Sequence, residues 1–122
     1  MNSEVRKMSE ELQEVIESYN SYIQNVATGS MKIAEYLRQD EIAEAMQLIL
    51  HFSEGMGWLT EAAELLTKND VKVQLEVANI HEFLNEINSG LEIQDYVLVA
   101  DMFEYEIAPF FAQAVQIEGI QQ

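Results

Sequence analysis

The side chains in this sequence best suited to chemistry are its carboxylates. Glu61-Ala62-Ala63-Glu64 sets two acids three residues apart, and Glu92-Ile93-Gln94-Asp95 repeats that spacing. Residues i and i+3 share one face of a helix, so each pair can present oxygen ligands in one direction. Oxygen-only ligands suit Mg²⁺, which binds through a few carboxylates plus substrate phosphates and keeps much of its water. Against this, a chain with 22 acidic residues produces acid-x-x-acid pairs by chance, and the second pair would straddle a helix junction. Histidine occurs only at His51 and His81, each of which reads first as a packed, hydrogen-bonded residue. The Glu-x-x-His spacing of di-iron bundles is absent, and His51-x-x-Glu54 is only its reverse. No nucleophile elbow supports a Ser-His-Asp triad, and the absence of cysteine removes disulfides, thiolate metal sites and Cys nucleophiles.

Two apolar constellations are better candidates for binding than for catalysis. Leu48, His51, Gly55, Trp58, Ala62 and Leu65 run down one face of a helix, with Gly55 allowing close approach of a neighbour to the only tryptophan. Core anchoring is the plain reading of Trp58; a pocket lined by His51, Trp58 and Leu65 is the sharper one. Near the end of the chain, Leu98, Met102 and Tyr105 fall off the expected core line around Asp101, the pattern of an apolar surface rimmed by acid.

The elements that must position these residues are helices. Glycine is scarce (5), proline nearly absent (1), and only Val71–Val77 hints at strand-like alternation. Val5, Met8, Leu12, Val15, Tyr19, Tyr22 and Val26 recur at 3,4 spacing, and the phase continues through Gly29, Ile33 and Tyr36. This predicts one long helix from an N-cap at Ser3 to near Arg38, with Thr28-Gly29-Ser30 as the place where it can kink. The stretch Glu41–Leu66 carries Ile42, Ala45, Ile49, Phe52, Met56, Leu59, Ala63 and Leu66 in a second unbroken line, beside the Leu48–Leu65 line. A helix with two apolar lines is expected to have neighbours on two sides, which makes this stretch the expected centre of the fold. Asp40 is expected to cap it, Asn69 to end it in a left-handed conformation, and Asp70 to cap the next helix. The third helix is expected along Val73, Val77, Ile80, Leu84, Ile87 and Leu91. The fourth, capped by Asp95, follows Tyr96, Ala100, Phe103, Ile107, Phe110, Ala114 and Ile117, with a kink at Pro109. Glu106 is expected at the edge of that line, partly buried and hydrogen-bonded to a tyrosine. Short connections between the helices predict an all-α, up-down-up-down antiparallel four-helix bundle in a single domain, residues 1–122.

Composition narrows the function. The formal net charge is -16, and no Lys or Arg follows Lys72. Counterion release from phosphates needs Lys and Arg, so nucleic acid and anionic membrane surfaces are poor partners. No apolar run approaches a membrane span or a signal-peptide core, so the cytoplasm is the expected location.

The acid pairs resemble the E-x-x-E … E-x-x-D signature of the MazG-like all-α nucleoside-triphosphate pyrophosphohydrolases. That resemblance implies that Glu61, Glu64, Glu92 and Asp95 hold Mg²⁺ around a triphosphate. The run Asp95–Phe110 (DYVLVADMFEYEIAPF), after Gly57-Trp58-Leu59, resembles a pattern in small acidic helical bacterial proteins of no assigned activity, which implies a fold and no chemistry. In size and acidity the chain is also similar to the flagellin-export chaperone, a bundle that wraps an apolar helix of its cargo; this is analogy at the level of the fold. The reading these features favour leans away from an enzyme. It is a helical bundle without a cofactor that works by protein association, as a homo-oligomer, an adaptor or a chaperone-like binder of a partner, with a basic partner as the sharper reading of the charge. The alternative is the Mg²⁺-dependent hydrolase.

Overall fold

Residues 16, 23, 30 and 37 lie seven apart on the first helix, and all four are buried. In the computed structural model, which describes residues 3–118 with side chains from Glu10 onward, that helix (α1, Ser3–Arg38) is continuous through Thr28-Gly29-Ser30. The expected line of Tyr19, Val26 and Ile33 is buried as well, with Leu12, Val15, Tyr22 and Tyr36 partly covered. The proposed N-cap Ser3 and the side chains of Val5 and Met8 lie outside the described side chains. With two interior lines, α1 packs against every element of the last rod and against the second helix (α2, Ile42–Lys68). The centre of the fold is therefore α1 and not the Glu41–Leu66 stretch. The first line of α2 is interior as expected, from Ala45 to Leu66, but its second line is half open to solvent.

Contact pairs fix the directions. Tyr22 of α1 meets Gly55 and Trp58 of α2, so these two helices are antiparallel neighbours. Arg38 at the end of α1 reaches Asp101 and Glu104, while Asn20 reaches Ile117, so the last rod also runs against α1. A third helix (α3, Val77–Glu92) packs on the start of that rod and touches α2 sparingly. The all-α, up-down-up-down four-helix bundle expected from the heptad lines is the fold.

The third helix begins at Val77 rather than near Val73. Val71, Val73 and Leu75 turn inward and Lys72, Gln74 and Glu76 outward, so the alternation visible in the sequence is an extended segment laid along the bundle. Asp70 therefore does not cap a helix. Instead α1, α2 and α3 stop in the same way, with Asp40, Asp70 and Gln94 at φ 59°, 63° and 56°. In each case the next two amides close back on the helix: Asp40 N–H to Leu37 O and Glu41 N–H to Tyr36 O, Asp70 to Thr67 and Val71 to Leu66, Gln94 to Leu91 and Asp95 to Gly90. These are the paired bonds of the Schellman stop, a position usually held by glycine. Asp40 thus ends α1 instead of capping α2, whose N-cap, Glu41, makes no side-chain cap bond. Asn69 is not the left-handed residue; the turn falls one position later. Asp95 does cap the fourth helix (α4, Tyr96–Met102), accepting from the Leu98 N–H at 3.0 Å.

The kink expected at Pro109 takes the form of a π-helical turn (Phe103–Ile107) leading into a short helix (α5, Ala108–Ala112). The Ala108 N–H bonds the Phe103 carbonyl, five residues back. Proline lacks an amide hydrogen and crowds the carbonyl four residues earlier, so a widened turn relieves the clash at Tyr105 while Phe103 and Ile107 stay buried. The extra residue turns Glu106 outward, where it is exposed, against the expectation of a partly buried carboxyl. Beyond α5 the chain is no longer helical. Asn20 holds it to α1 by donating to the Ile117 carbonyl at 2.8 Å and accepting from the Ile117 N–H at 2.7 Å.

A non-glycine residue in the left-handed region costs about 1–2 kcal/mol. Gln94→Gly is expected to raise stability by about 1 kcal/mol in denaturant unfolding; an unchanged or lower midpoint would show that this stop carries no strain.

Candidate functional site

The open second line of α2 borders a groove shared with α1. Tyr22, Asn25, Val26, Gly29 and Ile33 form its α1 wall, and Leu48, His51 and Phe52 its α2 wall, with Lys32 at the rim. Its volume is about 210 Å³ and its surface is almost entirely carbon. None of its lining residues is acidic, in a chain with 22 acids.

Three local features shape this hollow. Gly29 lies in the middle of α1 with nothing within 4 Å of where a β-carbon would sit, so helix packing does not require glycine there. A helix-interior glycine costs about 1 kcal/mol relative to alanine, and what its missing side chain leaves is space. Gly55 is different: a β-carbon there would collide with the Tyr22 hydroxyl, so glycine lets that ring lie against α2. Tyr22 then meets Trp58 edge-on at 5.9 Å, and burial pushes its phenol pKa up. Burial raises Tyr19, one turn earlier, to about 12. Gly57 also sits in open space, and nothing in the structure explains glycine there.

The third feature is Ser30. It is 1% exposed, and its hydroxyl makes no hydrogen bond. Helical hydroxyls usually bond the carbonyl four residues back, as Thr60 does to Met56 at 2.9 Å and Thr67 to Ala63 at 2.8 Å. Ser30 does not, although it occupies the place between Ile23 and Leu37 where the interior line of α1 calls for an aliphatic side chain. Leaving such a donor unpaired costs about 1–3 kcal/mol.

Of the pocket residues expected on α2, only His51 lines the groove, and it is exposed. Trp58 is 39% exposed and adjoins the groove through Tyr22; Leu65, 45% exposed, lies two turns further along the same edge. Trp58 is therefore not a core anchor. On the last rod, Leu98 and Tyr105 are exposed, but Met102 is buried and takes no part in an outer face. Val99, Met102 and Phe103 share the inward side by their three- and four-residue spacing. Arg38 crosses this rod with its Nη2 at 2.8 Å from Asp101 and its Nε at 3.2 Å from Glu104, and those bonds hold its pKa above the ordinary value.

The four acids of the Mg²⁺ reading do not converge. Glu61 is exposed on α2, Glu64 pairs with Lys68 at 3.3 Å, Glu92 ends α3 and Asp95 is engaged as a cap. Among the described residues, no three Asp, Glu or His side chains stand close enough to share a metal ion. Nor is any described helix long and apolar enough to cross a membrane.

Sequence reasoning passed over Gly29, Ser30, Tyr22 and Lys32 as site residues. The signal was present as a heptad line, Ile16-Ile23-Ser30-Leu37, interrupted by one hydroxyl beside one glycine.

The fold and the groove together define an acidic four-helix bundle with an open apolar seam. The chain belongs to the family described as a domain of unknown function (DUF8042), whose model matches residues 14–116 and so takes in the whole groove. Neither a curated protein nor a solved structure matches the chain. The family description names no activity, so neither the pyrophosphohydrolase nor the chaperone resemblance gains a relative from it.

Ser30→Ala is expected to raise stability by about 1–2 kcal/mol by removing an unpaired buried donor. Calorimetry showing a loss instead would mean that the hydroxyl is bonded in solution. Gly55→Ala is expected to lower stability by about 1–3 kcal/mol as Tyr22 is displaced, with an altered Trp58 emission spectrum; unchanged emission would place Tyr22 elsewhere.

Proposed function

We propose that this chain acts by protein association, through the apolar edge of α2 that α1 leaves uncovered. The observation that carries this reading is the exposure of Trp58 and Leu65 at the seam, an aromatic anchor and an aliphatic neighbour seven residues on. Large aromatic side chains are frequent anchors of interfaces, and a half-exposed tryptophan on a bundle edge is apolar surface left for a partner. Exposed Glu54 and Glu61 lie one turn to either side of Trp58. With a net charge of -16, this edge favours a partner that brings Lys or Arg around an apolar strip over a second, equally acidic copy. The exposed Leu98 and Tyr105 form a smaller candidate contact on the last rod. The Mg²⁺-dependent alternative draws less support, since Glu64 is paired with Lys68, Asp95 is engaged as a cap, and no three such acids gather among the described residues.

The test is a photoreactive phenylalanine placed at position 58 in the full chain inside cells, compared with the same residue at exposed Glu86. A discrete protein adduct specific to position 58 is expected, and its loss on Leu65→Ala would tie it to the strip. Trp58→Ala should leave the protein folded at a cost of about 1–3 kcal/mol, from the edge-on contact with Tyr22 and the covered part of the ring. Adducts equally abundant from both positions would defeat the reading. A mass that doubles with concentration in light scattering, and reverts in Trp58→Ala, would assign the edge to a second copy.

A further inference from the structure

We propose that the groove between α1 and α2 is a binding site for a compact, uncharged molecule with a small apolar body and one hydrogen-bonding oxygen, of the aromatic-alcohol class. This goes beyond protein association and does not depend on it: the groove takes in Leu48 and His51 at one end of the α2 line, whereas Trp58 and Leu65 further along do not line it, and Tyr22 lies between the two.

Size sets the first bound. A dry cavity of about 150 Å³ admits benzene, so about 210 Å³ holds one ring with a short substituent. The walls set the second. Val26, Ile33, Leu48 and Phe52 favour a carbon body, and no lining residue carries the negative charge that an ammonium group would need. An anion would find Lys32 at the rim, but that ammonium already lies 5.8 Å from the centre of the Tyr36 ring, and the chain's net charge of -16 repels anions at longer range. A neutral ligand avoids both penalties.

Chemistry at the inner wall sets the third. Ser30 contributes to the groove, and its hydroxyl is buried without a partner. A buried donor in that condition strongly prefers a state in which an oxygen reaches it. Gly29 beside it adds no side chain to the groove wall, so a turn of the Ser30 side chain, whose hydroxyl is closed to solvent here, brings that hydroxyl to a ligand oxygen. An unsatisfied hydroxyl and an unexplained gap on consecutive residues of one helix are accounted for together by a bound ligand.

The experiment titrates the full chain with benzyl alcohol, toluene and benzoate, followed by amide chemical shifts. Benzyl alcohol is expected to saturate with shifts concentrated at Gly29, Ser30 and Leu48, and to bind at least tenfold more tightly than benzoate. Ser30→Ala should weaken benzyl alcohol roughly fivefold and leave toluene unchanged, the loss of one neutral hydrogen bond. Gly29→Leu, which places a side chain in the gap and improves helix propensity, should abolish binding of both in a folded protein. Shifts scattered over the exposed apolar side chains, binding that survives Gly29→Leu, benzoate binding as tightly as the alcohol, or an equal loss of toluene in Ser30→Ala would each overturn the assignment. None of these outcomes alters the Trp58 edge, so the association reading stands or falls separately.

Discussion

A helix that supports two neighbouring rods along most of its length has little freedom in what it can carry. α1 meets α2 along one side and the whole of the last rod along another, and the interior lines that face them, Ile16 to Leu37 and Tyr19 to Ile33, are nearly unbroken. Each neighbour in turn depends on α1 more than on any other element. α3 stands apart: it packs on α4 and shares only a thin contact with α2, so the bundle is two rods gathered on α1 with a third helix joined through the last rod. Burial of apolar surface is the dominant favourable term in folding, and those two lines are the share that α1 contributes to it. It follows that a polar side chain within them is conspicuous, and apart from the phenol of Tyr19 that side chain is Ser30, whose hydroxyl has no partner.

How this was written in the sequence differs from element to element. The heptad line of α2 from Ala45 to Leu66 was legible because every position is apolar and every position is interior. The hub was misread because α1 and α2 each carry two lines, and spacing alone does not say which line finds a neighbour. On α1 the second line contains a serine, which weakens its signal, yet it is buried along with the first. On α2 the second line contains Trp58 and Leu65, which strengthened its signal, yet it is the open one. Hydrophobicity identifies surface that benefits from cover; only the docking of the other helices decides which surface receives it.

The helix stops were hard to place for a related reason. Sequence logic looks for glycine or asparagine at the left-handed position, and this chain uses Asp, Asp and Gln. The bonds that close the helices there come from the backbone and are blind to the side chain, so the strain is tolerated where the following residue must turn into the next element. Pro109 was legible as a disturbance but not as a π turn, because proline specifies which carbonyl must move and not how the helix accommodates it. The groove was the least legible part, since it is made by what Gly29 lacks.

The distribution of charge has a mechanical consequence. Beyond Lys72 the chain has no basic residue, so the last two rods cannot neutralise themselves. Their only ion pairs among the described residues are the two made by Arg38, which therefore acts as an electrostatic rivet between a mixed-charge half and a purely anionic one. Salt pulls on this arrangement in opposite directions. Dissolved ions quiet the mutual repulsion of the carboxylates over roughly 10 Å, and they also loosen an exposed guanidinium fork. The repulsion is summed over many sites and the rivet over one, so the bundle as a whole gains as ionic strength rises, while dilution strengthens the single fork that ties α1 to the last rod.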